Sequence, residues 1–179
     1  DPYNVKYWCL GNEVDGVWQI GHTSADEYAN LARQLAHMIV GKYGTTRIEP
    51  IFVGSSSPNL ATYAEWDRKV LEEVGKLWKS FEIHKKDNQP AYISLHRYAE
   101  NEEGNSEEYL ATGVSIDRQI ETVDAVCKYV QSRLRLKSRF YLCFDEWNVW
   151  YKNRNWNGKD QFSPHLLSVS HNERQNDFG

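Results

Sequence analysis

The sequence predicts an α/β chain that forms part of a (β/α)8 barrel. Two observations predict it. Four short apolar runs read as strands buried on both faces, and the stretches between them repeat apolar residues at helical spacing. This alternation builds a parallel sheet covered by helices. A doubly wound sheet shares the local signal, but neither a G-x-G-x-x-G nor a Walker loop follows the first run, which weakens a nucleotide-binding version. A whole barrel takes ~250 residues, so a chain of 179 residues with long loops holds roughly half of one.

The first strand is Val5-Lys6-Tyr7-Trp8-Cys9-Leu10, stopped by Gly11. Ser24-Ala25-Asp26-Glu27 has the Ser-x-x-Glu form of a capping box. The helix behind it carries Tyr28, Leu31, Ala32, Leu35, Met38 and Ile39 as its expected buried stripe and ends near Gly44. Pro50-Ile51-Phe52-Val53-Gly54 is the second strand, and Ser55-Ser56-Ser57-Pro58-Asn59 a loop. Trp66, Val70, Leu71, Val74, Leu77 and Trp78 form the second helical stripe. Ala91-Tyr92-Ile93-Ser94-Leu95-His96 is the third strand, followed by a polar insert from Glu100 to Glu108 that reads as a solvated loop. Ile116, Ile120, Val123, Cys127, Val130 and Leu134 mark the third helix, and Arg139-Phe140-Tyr141-Leu142-Cys143-Phe144 the fourth strand.

Composition narrows the function classes. With 21 Lys+Arg against 25 Asp+Glu, the net charge of −4 offers no footprint for nucleic acid. No apolar run approaches the ~20 residues that cross a bilayer. Seven Trp, 11 Tyr and 6 Phe make the chain rich in rings; either a ring-rich core or a carbohydrate site, where sugar C–H faces lie against aromatic rings, accounts for them. Cys9, Cys127 and Cys143 are too scattered for a disulfide scaffold or zinc finger and read as buried free thiols. His22, His37, His84, His165 and His171 show no metal-ligand spacing, so no metal is expected.

Polar residues gather just past three strands: Asn12-Glu13, His96-Arg97-Tyr98 and Asp145-Glu146-Trp147-Asn148. In a barrel all C-terminal strand ends share one rim, where active sites lie. Glu13 and Glu146 would then converge, and two convergent carboxylates are what glycosidic acid/base cleavage requires. In a complete barrel the charge of Glu146 would push Glu13 toward the higher pKa of the pair.

Lys6-Tyr7-Trp8-Cys9-Leu10-Gly11-Asn12-Glu13-Val14-Asp15-Gly16, with Trp18-Gln19, resembles the fourth-strand segment of α-L-arabinofuranosidases of glycoside hydrolase family 51, retaining enzymes of the clan A barrels. Val53-Gly54-Ser55-Ser56 resembles their fifth strand, Tyr92-Ile93-Ser94-Leu95-His96-Arg97-Tyr98 the sixth, and Phe144-Asp145-Glu146-Trp147-Asn148-Val149-Trp150 the seventh. The resemblance implies a partial (β/α)8 TIM barrel, approximately strands four to seven, over residues 1–167, with a divergent tail at 168–179. It implies Glu13 as acid/base and Glu146 as nucleophile, Asn12 on the sugar 2-hydroxyl, His96 and Tyr98 lining the pocket, and Trp150 walling it. The implied activity is exo-acting, retaining hydrolysis of terminal arabinofuranosyl residues from arabinan, arabinoxylan or arabino-oligosaccharides, without cofactor or metal. No nucleic-acid or membrane partner is expected, a cytoplasmic location is, and homo-oligomerisation of a full-length parent stays open. An inactive or carbohydrate-binding remnant and a related clan A glycosidase of other specificity are the alternatives. Arg97 and Ala99 depart from the family pattern, where a polar uncharged residue and a second aromatic are common.

Overall fold

A computed structural model describes residues 3–43, 48–85, 90–99 and 105–149. Gly44, the acidic residues at 100–103, Trp150 and the tail at 168–179 lie outside the described residues. The elements run β1 (Tyr7–Cys9), α1 (Ala25–Tyr43), β2 (Glu49–Phe52), α2 (Glu65–Lys85), β3 (Ala91–Ala99), α3 (Ser106–Leu110), α4 (Thr112–Arg133) and β4 (Phe140–Val149). The sheet order is β1-β2-β3-β4, four parallel strands with helical crossovers, as in part of a (β/α)8 barrel. Tyr7 pairs with Glu49, Cys9 with Ile51, and Ile51 with Tyr92.

The described residues form two compact units, one drawn from 1–96 and 120–145, the other from 97–119 and 146–149. In the first, β2 and β3 are the inner strands, and Ile51, Phe52, Ile93 and Leu95 are buried. The α2 stripe is as the spacing predicts: Trp66, Val70, Leu71, Val74, Leu77 and Trp78 are all in the core. Two aromatic side chains finish the polar work at the strand ends. Tyr28 Oη donates to Leu10 O at 3.0 Å and accepts from Val53 N at 2.8 Å, while Trp66 Nε1 donates to Val53 O at 2.9 Å. Buried backbone groups that no ladder reaches are thereby satisfied, and the two rings stack with centroids 5.5 Å apart. Gly54 is required where β2 runs out, since a Cβ there would sit 2.1 Å from Ser94 O.

The capping box forms as expected. Glu27 Oε2 accepts from Ser24 N and Ser24 Oγ at 3.2 and 2.8 Å, and Glu27 N donates back to Ser24 Oγ at 3.3 Å. The stripe on α1 is a correction. Its buried face is Tyr28, Ala29, Ala32, Ala36 and Val40, whereas Leu31, Leu35 and Met38 are exposed. Alanines at helical spacing admit a close approach of α1 to its neighbours, and the larger residues are left outside. On α4, Val123, Cys127 and Val130 are buried as expected, but Ile120 is exposed.

β1 is shorter than the sequence suggests and all three of its residues are exposed. It is an outer strand of the four in the described sheet. This also corrects the thiols: Cys9 is exposed, Cys143 is half-buried, and only Cys127 of the three is buried.

The second unit holds the last residues of β3 and β4, α3 and the start of α4. Ala99, Tyr109 and Val149 form its small apolar cluster. The insert expected as loop ends inside α3, which Asn105 caps by accepting from Glu108 N at 3.2 Å. An Asn cap followed by acidic residues in the first turn favours that helix end.

Candidate active site

The segment after β1 holds Glu13 in a strained turn. Its φ is +46°, a left-handed conformation uncommon for a side chain other than glycine. Gly16 N donates to Glu13 O at 2.9 Å, and Gln19 N to Gly16 O at 3.1 Å. Gly16 lets the Trp18 ring fold over it, because a Cβ would meet that ring at 2.3 Å. The turn is clipped to the loop after β2 through buried Asp15, whose Oδ2 accepts from Ser56 N and Oγ at 2.8 and 3.0 Å. Burial pushes the Asp15 carboxyl up despite these bonds. In the same loop Ser55 donates to fully buried Asp67, from N to Oδ1 at 2.9 Å and from Oγ to Oδ2 at 2.6 Å.

His96, buried near the end of β3, joins two carboxylates. Its Nδ1 is 3.0 Å from Glu13 Oε1 and its Nε2 is 3.3 Å from Asp145 Oδ1 on β4. The other oxygen of Glu13 accepts from Trp18 Nε1 at 2.6 Å and from Gln19 Nε2 at 3.4 Å. The other oxygen of Asp145 accepts from Cys9 Sγ at 3.4 Å. The result is a continuous path of hydrogen bonds: Trp18 and Gln19, Glu13, His96, Asp145, Cys9.

This path sets the charges. The hydrogen bond to His96 holds the Glu13 carboxyl below its usual range, with Trp18 and Gln19 adding to it, against an opposing effect of burial. The expectation that Glu13 has the higher pKa of the two carboxylates concerned a complete barrel; in this chain its contacts with His96, Trp18 and Gln19 hold it below the usual range. For Asp145, burial opposes the charge, but bonds from His96 and Cys9 outweigh it and the carboxyl lies below its usual range. Burial, then the bond to Asp145, pushes the Cys9 thiol up to about 11, so it is a protonated donor near neutrality.

In the second unit Tyr98 Oη donates to Glu146 Oε1 at 2.7 Å. Arg97 Nη2 donates to Ser115 Oγ at 2.7 Å, which ties the departure from the family pattern to the first turn of α4. Glu13 is thus brought to His96, and Tyr98 to Glu146. Asn12 is exposed, and Trp150 lies outside the described residues. No site role for Asp145, Cys9, Trp18 or Gln19 follows from the sequence alone. The signal for Asp145 was present, a second carboxylate in the polar group past the fourth strand.

Parallel strands with crossover helices and polar side chains past their C-terminal ends define a section of a (β/α)8 enzyme barrel. No family model matches the chain. It is 42% identical over 150 residues to the intracellular exo-α-(1→5)-L-arabinofuranosidase 1 of Bacillus subtilis, covering 84% of this chain and 27% of that protein. It is 39% identical over 155 residues to the intracellular exo-α-(1→5)-L-arabinofuranosidase of Acetivibrio thermocellus, covering 87% and 28%. Among solved structures, the family 51 α-L-arabinofuranosidase of Bifidobacterium longum superposes with a TM-score of 0.66 at 29% identity, covering 82% of this chain and 27% of that one. The Thermotoga petrophila family 51 enzyme gives a TM-score of 0.62 at 29% identity, covering 84% and 26%. The chain is similar to the family 51 α-L-arabinofuranosidases and spans about a quarter of the length of the curated relatives it matches.

Proposed function

We propose that this chain supplies both catalytic carboxylates of an exo-acting, retaining α-L-arabinofuranosidase. Residues 1–167 are assigned to the catalytic barrel and 168–179 to a divergent tail. Terminal arabinofuranosyl groups of arabinan, arabinoxylan or their oligosaccharides are the substrates. The 1→5 linkage is favoured by the names of relatives such as those of Bacillus subtilis and Acetivibrio thermocellus. A Bifidobacterium longum relative, 38% identical, is named for the 1→6 linkage. The word intracellular in the first two names supports action in the cytoplasm.

Glu146 attacks the anomeric carbon while Glu13 gives a proton to the departing oxygen; Glu13 then takes a proton from the water that releases the sugar. Tyr98, bonded to Glu146 at 2.7 Å, orients the attacking oxygen. Asn12 bonds the sugar 2-hydroxyl, His96 lines the pocket, and Trp150 walls the subsite. The observation that carries this reading is the occupation of one strand-end turn by Glu13, with its backbone strained and its side chain held by Trp18, Gln19 and His96. Strain of that kind concentrates at functional sites.

The test uses the natural gene product containing this chain, with 4-nitrophenyl α-L-arabinofuranoside beside the corresponding xyloside. Turnover of the arabinoside that falls by about a thousandfold or more in Glu146→Ala supports the proposal. Preference for the xyloside, or an unaffected variant, overturns it.

A further inference from the structure

We propose that Asp145 is a positioning residue for Glu13, acting through His96: it fixes which imidazole nitrogen carries hydrogen, so that the other can share the proton of the acid. The proposal rests on the assignment of Glu13 as acid/base.

The two oxygens of Glu13 face different chemistry. Oε2 receives the Trp18 indole N–H at 2.6 Å and the Gln19 amide at 3.4 Å. The indole nitrogen only donates. A proton on Glu13 therefore belongs on Oε1, which faces His96 Nδ1 at 3.0 Å. Nδ1 can accept that proton only if it is bare, which puts the hydrogen of a neutral ring on Nε2. Nε2 lies 3.3 Å from Asp145 Oδ1. An ionised carboxylate accepts and never donates, so it selects the Nε2–H form. Cys9 donates to the far oxygen of Asp145 at 3.4 Å and leaves Oδ1 turned to the ring. The same logic governs the Asp-His-Ser arrangement, where the buried carboxylate orients the imidazole and stabilises its charged form.

One proton then has two resting places along the 3.0 Å contact, Glu13 Oε1 or His96 Nδ1, and Nε2–H stays on Asp145 in both. The pair titrates as a unit. In the first step the pair's proton passes to the glycosidic oxygen as the bond to the anomeric carbon breaks and its electrons stay on that oxygen. In the second, water bonds to the anomeric carbon, the bond to Glu146 breaks, and the proton lost by water returns to the pair. Among the described residues of the first unit, Glu13 from the turn after β1 and Asp145 from β4 face His96, with Cys9 of β1 behind Asp145.

Asp145→Asn is the discriminating change. Its amide can present N–H to Nε2 and select the opposite form, whose Nδ1–H faces Oε1 and drives the proton off Glu13. In the natural gene product containing this chain, kcat/KM is measured on α-1,5-arabinobiose, whose leaving oxygen needs a proton, and on 4-nitrophenyl α-L-arabinofuranoside, whose leaving oxygen needs little. The expected result is a loss of about a hundredfold or more on the disaccharide, a loss below about tenfold on the aryl substrate by the same reasoning, and a basic limb moved to lower pH. Asp145→Glu recovers part of the loss. Equal losses on both substrates with an unmoved pH profile would overturn the proposal, because a merely structural role predicts that pattern. Imidazole 15N NMR of the natural gene product provides a readout independent of turnover: neutral His96 is protonated on Nε2 in the wild type and on Nδ1 in Asp145→Asn. A wild-type ring protonated on Nδ1 overturns the proposal even if the variant does not fold. Absence of arabinofuranosidase activity in the natural protein would instead refute the functional reading, and the NMR result would still decide the role of Asp145.

Discussion

Nδ1 of His96 lies 3.0 Å from Oε1 of Glu13, a contact between residues 83 positions apart that fixes the charge of the candidate acid/base. The imidazole is the leading cause of the lowered Glu13 pKa. Replacing it by an uncharged side chain removes the strongest support for the carboxylate while burial continues to oppose the charge. In His96→Gln the Glu13 pKa therefore rises relative to the wild type. Carboxyl 13C NMR titration of the chain measures it; a fall, or no change, would show that Trp18 and Gln19 set the charge instead.

Much of this arrangement is legible in the sequence, and the rest is hidden for physical reasons. The inner strands and α2 can be read because their large apolar residues point one way, as at Trp66, Val70, Val74 and Trp78. The α1 stripe misleads because size is a poor guide where backbones approach closely: Ala29, Ala32 and Ala36 face inward while Leu31 and Met38 do not. Glu13 and His96 can be picked out as strand-end residues. The bonds that join His96 to Asp145 and Asp145 to Cys9 cannot, because they depend on strand placement and not on local pattern. The exposure of β1 follows from its outer place in the sheet, which an apolar run does not disclose.

Asp67 carries a stability prediction with a definite sign. It is fully buried, and burial pushes its carboxyl up although Ser55 donates to both oxygens. A group whose folded pKa lies above its unfolded value, ~3.9 for Asp, gives stability that is complete below the unfolded value and lost as pH rises through the folded one. Asp67→Asn keeps a partner for Ser55 and drops the charge. Urea unfolding should show the Asn variant gaining on the wild type at pH 7.5, with the advantage shrinking on acidification. An advantage that grows on acidification would contradict the burial argument. Asp67→Ala leaves Ser55 N–H without its acceptor and should cost about 1–3 kcal/mol.

Tyr98 offers a test confined to the second unit. Its hydroxyl donates to Glu146 Oε1 at 2.7 Å, and a hydrogen bond to a charged group is worth about 1.5–3 kcal/mol. Tyr98→Phe in the natural gene product should lower kcat by about 10–100-fold, as that energy implies, with KM changing less. A KM effect with kcat intact would make Tyr98 a binding residue only.

The isolated chain should be poorly active and prone to self-association. Trp8, Val17, Trp18 and Ile20 are exposed apolar residues on or just after the outer strand β1, and an uncovered strand edge invites pairing. Catalysis also needs both carboxylates placed to within about 0.5 Å. Sedimentation of the 179-residue chain should give concentration-dependent association, and an aryl arabinofuranoside should be turned over little or not at all. A monomer with robust turnover abolished by Glu146→Ala would mean that this part of the barrel suffices.

The claim that Glu146 is the nucleophile is tested most directly by trapping. A retaining mechanism passes through a covalent glycosyl–enzyme intermediate. A 2-fluoro-α-L-arabinofuranoside with a good leaving group slows its hydrolysis, and peptide mass spectrometry of the labelled natural protein then locates the sugar. The account predicts one arabinofuranosyl ester, on Glu146, absent from Glu146→Ala and still formed in Glu13→Ala. An ester on Glu13 or on Asp145, or stoichiometric turnover without any ester, would contradict it.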